Sequence, residues 1–95
     1  MAVVPTGFTP NNDNNNDRLQ VHGRDKTFVK VFRVFDQWGE LLFEQANFEV
    51  NEGVGWDGNF RNQPMASGVY IWYLEVVYPF DDAEETLFGQ TTLIR

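Results

Sequence analysis

The sequence predicts an all-β fold, specifically an antiparallel immunoglobulin-like β-sandwich of about seven strands. Three observations carry this. The apolar runs are short and rich in Val, Ile, Phe, Tyr and Trp. Turn residues separate them about every 8–12 residues, the rhythm of a sandwich. No stretch repeats apolar residues at helical spacing. An open or closed barrel is the alternative that the same strands allow.

The elements follow in order. Ala2-Val3-Val4-Pro5 starts an edge strand, where a proline costs no ladder hydrogen bond. Residues 11–17 form a purely polar loop, and residues 18–22 a short strand with Leu19 and Val21 alternating. Residues 27–36 form a long strand with neither face cleanly polar, which predicts a central, nearly buried position and a bulge. Asp36-Gln37-Trp38-Gly39 reads as a tight turn, with Asp first and Gly fourth, and residues 40–45 return as the hairpin partner. Residues 48–56 are irregular, and Asp57-Gly58 marks another turn. The strongest strand runs over residues 69–78. Tyr70, Trp72, Leu74, Val76 and Tyr78 share its core face, because all five are large and apolar. After an acidic turn over residues 79–84, residues 86–95 form the last strand, with a break expected at Gly89.

Length and charge narrow the function. Ninety-five residues make one domain, residues 1–95, with Met1-Ala2 reading as an added start. Aromatics at 16% argue against disorder. A net charge of −7 repels a phosphate backbone and an anionic membrane surface. No apolar run approaches the roughly 20 residues of a membrane span, and the start lacks a signal-peptide pattern. If the domain is exported, its address lies elsewhere in a longer chain or in its own fold. Without cysteine there is no disulfide, thiolate zinc site or cysteine nucleophile. The single histidine, His22, and single serine, Ser67, would both have to serve a Ser-His-Asp triad, and Ser67 lacks the Gly-x-Ser-x-Gly elbow. No phosphate-cradling glycine motif occurs.

Two constellations hold candidate chemistry. Asn11, Asp13, Asn15 and Asp17 alternate as oxygen ligands do at the start of a calcium loop. The EF-hand register fails, because neither a sixth-position Gly nor a twelfth-position Glu follows Asn11 or Asp13. The residues therefore read either as a partial calcium site or as a turn-rich loop whose side chains bond nearby backbone. Carboxylates such as Glu44, Glu49, Asp57 and Glu85 are numerous, but most fall in turns or at alternating exposed positions, unlike a glycosidase pair facing a cleft. Trp38 in its turn and Trp56 before its turn invite a carbohydrate-stacking reading. The competing expectation is that both rings fold back over the core edge.

The segments so placed resemble a known family. Phe8-Thr9-Pro10-Asn11-Asn12-Asp13 through Asn16-Asp17 resembles its Phe-Thr-Pro-Asn-Gly-Asp-Gly-x-Asn-Asp opening. Val34 to Phe43 resembles its Ile-Phe-Asn-Arg-Trp-Gly hairpin with the following Val-Phe. Trp56-Asp57-Gly58, Pro64 with Gly68-Val69-Tyr70, and Thr92-Leu93-Ile94-Arg95 match its turn, its strand entry and its closing strand. The family is the gliding-motility-associated C-terminal domain, the type B C-terminal domain of proteins exported by the type IX secretion system of Bacteroidetes. Five stretches in order are specific where any one is weak. Asn12 and Asn14 replace two family glycines, and asparagine tolerates left-handed backbone. Asp36-Gln37 replaces Asn-Arg and removes a cation.

The resemblance implies a folded, non-catalytic secretion signal on a large surface protein such as an adhesin. It implies delivery across the outer membrane to the cell surface and recognition by translocon components, namely a PorP/SprF-like outer-membrane barrel protein. The partner-binding candidates are Asp36, Gln37, Trp38, Leu93, Ile94 and Arg95. No cofactor is required, calcium at the polar loop being the one candidate, and the isolated domain is expected to be monomeric. The reading from a different class is an adhesive or carbohydrate-binding sandwich.

Overall fold

The computed structural model describes residues 2–10 and 17–95. Its largest element is a five-stranded sheet in the order β1 (Gly7–Phe8), β9 (Glu84–Leu93), β8 (Gly68–Val77), β3 (Phe28–Phe35) and β4 (Leu41–Glu49). Two small antiparallel pairs complete the architecture: β2 (Leu19–Gln20) with β5 (Gly55–Trp56), and β6 (Asn59–Phe60) with β7 (Gln63–Pro64). The described residues contain no helix, so the all-β sandwich expected from the sequence is what forms. Every pairing is antiparallel except β1 with β9, which run parallel through Gly7–Thr92 and Phe8–Leu93.

Strict alternation explains β8. Tyr70, Leu74 and Val76 are buried with Trp72 and Tyr78 partly so, whereas Val69 and Ile71 on the other face are exposed. The inner face of β8 joins Val29, Phe32 and Val34 of β3 and packs against Ala2, Val4, Leu19, Val21, Val50 and Trp56 of the second layer. Each fully buried Val, Leu or Phe side chain among them contributes about 1.5–3 kcal/mol.

The expected bulge in β3 is present. Val29 pairs with Val76 but Val31 with Glu75, so Lys30 is an extra residue. The shift exchanges faces, which is why the sequence shows no clean period there. A second shift lies where Val34 pairs with Phe43 but Phe35 with Leu41.

Several boundaries differ from expectation. The N-terminal edge strand reduces to a bridge between Val3 and His22. The hairpin return extends to Glu49. The final strand is not broken at Gly89. Instead, the Trp72 ring lies over that glycine, and a Cβ there would sit 2.8 Å from Cζ2.

Candidate functional site

The end of the sandwich that holds the β3–β4 turn gathers most of the predicted residues. At the hairpin tip, the Asp36 carboxylate accepts the backbone N–H groups of Trp38 and Glu40, both at 2.9 Å. The Asp36 carbonyl accepts the Gly39 N–H at 3.1 Å. A short acidic side chain reaches these donors and locks the turn, and Gly39 supplies the φ of +88° that closes it. Asp36 is thus committed to the turn. Gln37 and Trp38 are presented outward, and the Trp38 ring is 83% exposed. The expectation that Trp38 covers the core edge fails, because a ring inside a turn lies beyond the last residues of both strands, where no layer faces it.

Trp56 does the opposite and is 1% exposed. Its ring packs against Phe8 and Tyr70, with centroids 5.6 and 5.1 Å away. Its indole N–H donates to the Asn59 carbonyl at 2.9 Å, which satisfies the one polar atom of a buried Trp. Asp57 holds the following turn by accepting the Asn59 N–H at 3.0 Å. The Tyr70 hydroxyl donates to the Ala66 carbonyl at 2.7 Å and so pins the loop before β8. Burial pushes the Tyr70 hydroxyl pKa up; nearby Arg95 pulls it down and Asp36 pushes it up.

The terminal residues split into two roles. Leu93 is fully buried and belongs to the core. Ile94 donates its N–H to the Phe8 carbonyl at 3.0 Å and leaves its side chain exposed. Arg95 ties two loops together. Its Nη2 donates to the Gly58 carbonyl at 2.8 Å, its Nε to the Met65 carbonyl at 2.7 Å, and its backbone N–H to Ser67 Oγ at 3.0 Å. Ser67 and His22 each serve the scaffold, since His22 exchanges backbone hydrogen bonds with Val3 at 2.7 and 2.8 Å.

Between the hairpin tip and the β7–β8 loop runs a groove of about 200 Å³, lined by Gln37, Trp38, Met65, Ser67, Val69 and Tyr70 among others. On the other side of the Arg95 clamp, Asp17 shares a polar cleft of about 270 Å³ with Pro10, Arg18, Asp57, Asn59 and Arg95. The other calcium candidates, Asn11, Asp13 and Asn15, lie outside the described residues. Among the described residues no group of three or more acidic or histidine side chains is placed to hold a metal. The sequence missed Met65, Ser67 and the clamping role of Arg95. The one signal available was a cation closing an otherwise uncharged strand from Thr86 to Ile94.

The described residues of all five stretches that carry the family resemblance therefore reach this one end. Over residues 2–92 the chain matches CHU_C, the type IX secretion signal domain. The chain belongs to that family. No curated protein matches it. A solved structure of PorZ, an essential bacterial surface component of the type IX secretion system of human oral-microbiomic Porphyromonas gingivalis, resembles it with a TM-score of 0.54 at 21% identity. That likeness covers 99% of this chain and 11% of the PorZ chain and shows the shared fold.

Proposed function

We propose that this type IX secretion signal domain is read as a folded surface by outer-membrane components of the translocon, and that it delivers an attached passenger to the cell surface. The observation that carries the reading is the convergence of the family's stretches on one end of the sandwich, with Trp38 held outward beside a groove. A large exposed aromatic next to an apolar groove is the kind of anchor that protein partners bury. The partner in this reading is a PorP/SprF-like barrel protein, the domain acts without catalysis, and Gln37, Trp38, Ile94 and the Arg95-clamped loops form the contact region. Asp36 and Leu93 act indirectly, through the turn and the core.

A passenger fused to residues 1–95 and bearing an inner-membrane export signal tests this. It is expected at the surface of cells with an intact type IX system and in the periplasm of cells without one. Equal surface delivery in both strains would overturn the reading. Trp38 also favours the carbohydrate-binding alternative, since an exposed ring stacks on sugars. Binding of the isolated domain to a glycan array, lost in Trp38→Ala, would replace the sorting role with that one.

A further inference from the structure

The two edges of the main sheet are built differently. The β4 edge is irregular. It carries a register shift at Leu42, a left-handed Asn47 at φ +60°, and the acidic residues Glu44 and Glu49. Bulges and charges of this kind discourage another strand from pairing. The β9 edge has no such protection beyond its first two residues, Glu84 and Glu85. Its ten residues pair with β8 without a register shift, and from Thr86 to Ile94 no residue is charged or proline.

Backbone direction along β9 is fixed at both ends. Tyr78 N–H donates to the Ala83 carbonyl at 2.9 Å, so odd-numbered residues of this strand turn their hydrogen-bonding groups toward β8. Thr92 and Ile94 donate to the Thr6 and Phe8 carbonyls, so even-numbered residues turn theirs the other way. Among the described residues, β1 alone covers that outer side and only at the end of β9, and the chain before Thr6 turns off to bridge Val3 with His22. Thr86, Phe88 and Gln90 thus aim their N–H and C=O groups off an open edge. Phe88 adds a ring that is 78% exposed beside Tyr73.

We propose that the open edge of β9 over Thr86–Gln90 accepts an extended segment of the translocon partner as an added strand, a mode in which backbone bonds give affinity and alternate side chains give specificity. This rests on the reading that the domain is recognised by a protein at the outer membrane. The occupant is uncharged and apolar where it crosses Phe88, and basic where it meets Asp81, Asp82, Glu84 and Glu85 at the start of the strand. A second copy of this chain fits poorly. Antiparallel self-pairing centred on Phe88 would place Glu84 opposite Thr92 of the other copy, where β1 already sits.

The test uses Thr86→Pro and Phe88→Lys in the exported passenger fusion. Thr86 points its N–H off the free edge, the one side on which a strand tolerates proline. The isolated variants are therefore expected to melt within a few degrees of wild type, and Phe88→Lys keeps the test valid if the proline variant does not fold. Surface delivery should fall at least ten-fold in both. A photo-crosslinker at position 88 should link to an outer-membrane translocon protein, and one at Ala46 in β4 should not. If wild type is exported and both folded variants are exported equally well, the edge inference fails while the sorting role stands. If wild type itself is not exported, the sorting role fails first. A wild-type dimer in sedimentation that Phe88→Lys dissolves would assign the edge to a second copy and overturn the proposed occupant.

Discussion

Two turns of this domain look alike in sequence and do opposite things. Asp36-Gln37-Trp38-Gly39 and Trp56-Asp57-Gly58 each combine a tryptophan, an aspartate and a left-handed glycine, with φ of +88° at Gly39 and +82° at Gly58. In each, the aspartate holds the turn by accepting backbone N–H groups. The difference is where the tryptophan stands. Trp56 precedes its turn and belongs to β5, whose face looks onto the main sheet. Trp38 is inside its turn and projects past the ends of β3 and β4. A residue one step before a turn inherits a strand's face, whereas a residue inside it inherits solvent. The first becomes scaffold and the second becomes free for a partner.

The largest expected effect of breaking this contrast is at Trp56. Trp56→Ala removes a buried ring between Phe8 and Tyr70 and should destabilise the domain by about 3–5 kcal/mol. In a domain of this size each kcal/mol lowers the melting temperature by about 4–8 °C, so calorimetry should find the variant melting about 12–40 °C below wild type. The glycines sharpen the contrast next. Gly39→Ala meets nothing within 4 Å and should cost only the left-handed backbone penalty of about 1–2 kcal/mol. Gly58→Ala carries the same penalty and also pushes on Leu93 Cδ1 and Pro10 Cγ at 3.1 Å and on Arg95 Nη2 at 3.0 Å. Denaturant melts should rank it below Gly39→Ala.

A smaller effect appears with pH. Tyr70, Tyr73 and Tyr78 all have raised hydroxyl pKa values: burial leads at Tyr70 and Tyr78, and the hydrogen bond to Glu75 leads at Tyr73. A neutral phenol is favoured in the folded state, so the unfolded chain loses these protons first. Their stabilisation is complete below the unfolded value of about 10 and is lost as pH rises through the folded values. Urea midpoints measured between pH 9 and 11 should fall, and Tyr70→Phe should flatten part of that fall. The smallest stability effect belongs to Trp38. Trp38→Ala should change folding free energy by less than about 0.5 kcal/mol, as for surface positions generally. It should nevertheless reduce surface delivery of a fused passenger, and unimpaired delivery would remove Trp38 from the recognition surface.

Much of this was legible where period and length cooperate. Tyr70, Leu74 and Val76 announce their face because β8 runs unbroken for ten residues, and the Asp36 turn announces itself through its own chemistry. Two-residue strands such as β5, β6 and β7 have no period to read. The parallel β1–β9 pair joins residues far apart in sequence, which no local window contains. Gly89 looked like a strand break because its role depends on the Trp72 ring across the ladder. For Trp38 the sequence left an outward and a core-edge reading open, because turn position, not hydrophobicity, sets its exposure. Asn11, Asp13 and Asn15 lie outside the described residues.

The parallel pairing also bears on how the chain reaches its structure in time. Gly7 and Thr92 are 92 − 7 = 85 positions apart, so β1 has no sheet partner until β9 is in place. Two residues cannot nucleate anything alone, and closing so long a loop costs entropy before any contact repays it. If Phe8 settles only when β1 joins β9, its docking onto Trp56 is expected late in folding. Until it happens, one flank of the Trp56 ring stays open to water, and the clamp at Arg95 has only part of its floor. A chain threaded through a narrow channel would stay pliable up to that moment and acquire its recognisable shape only once both ends had emerged on the same side.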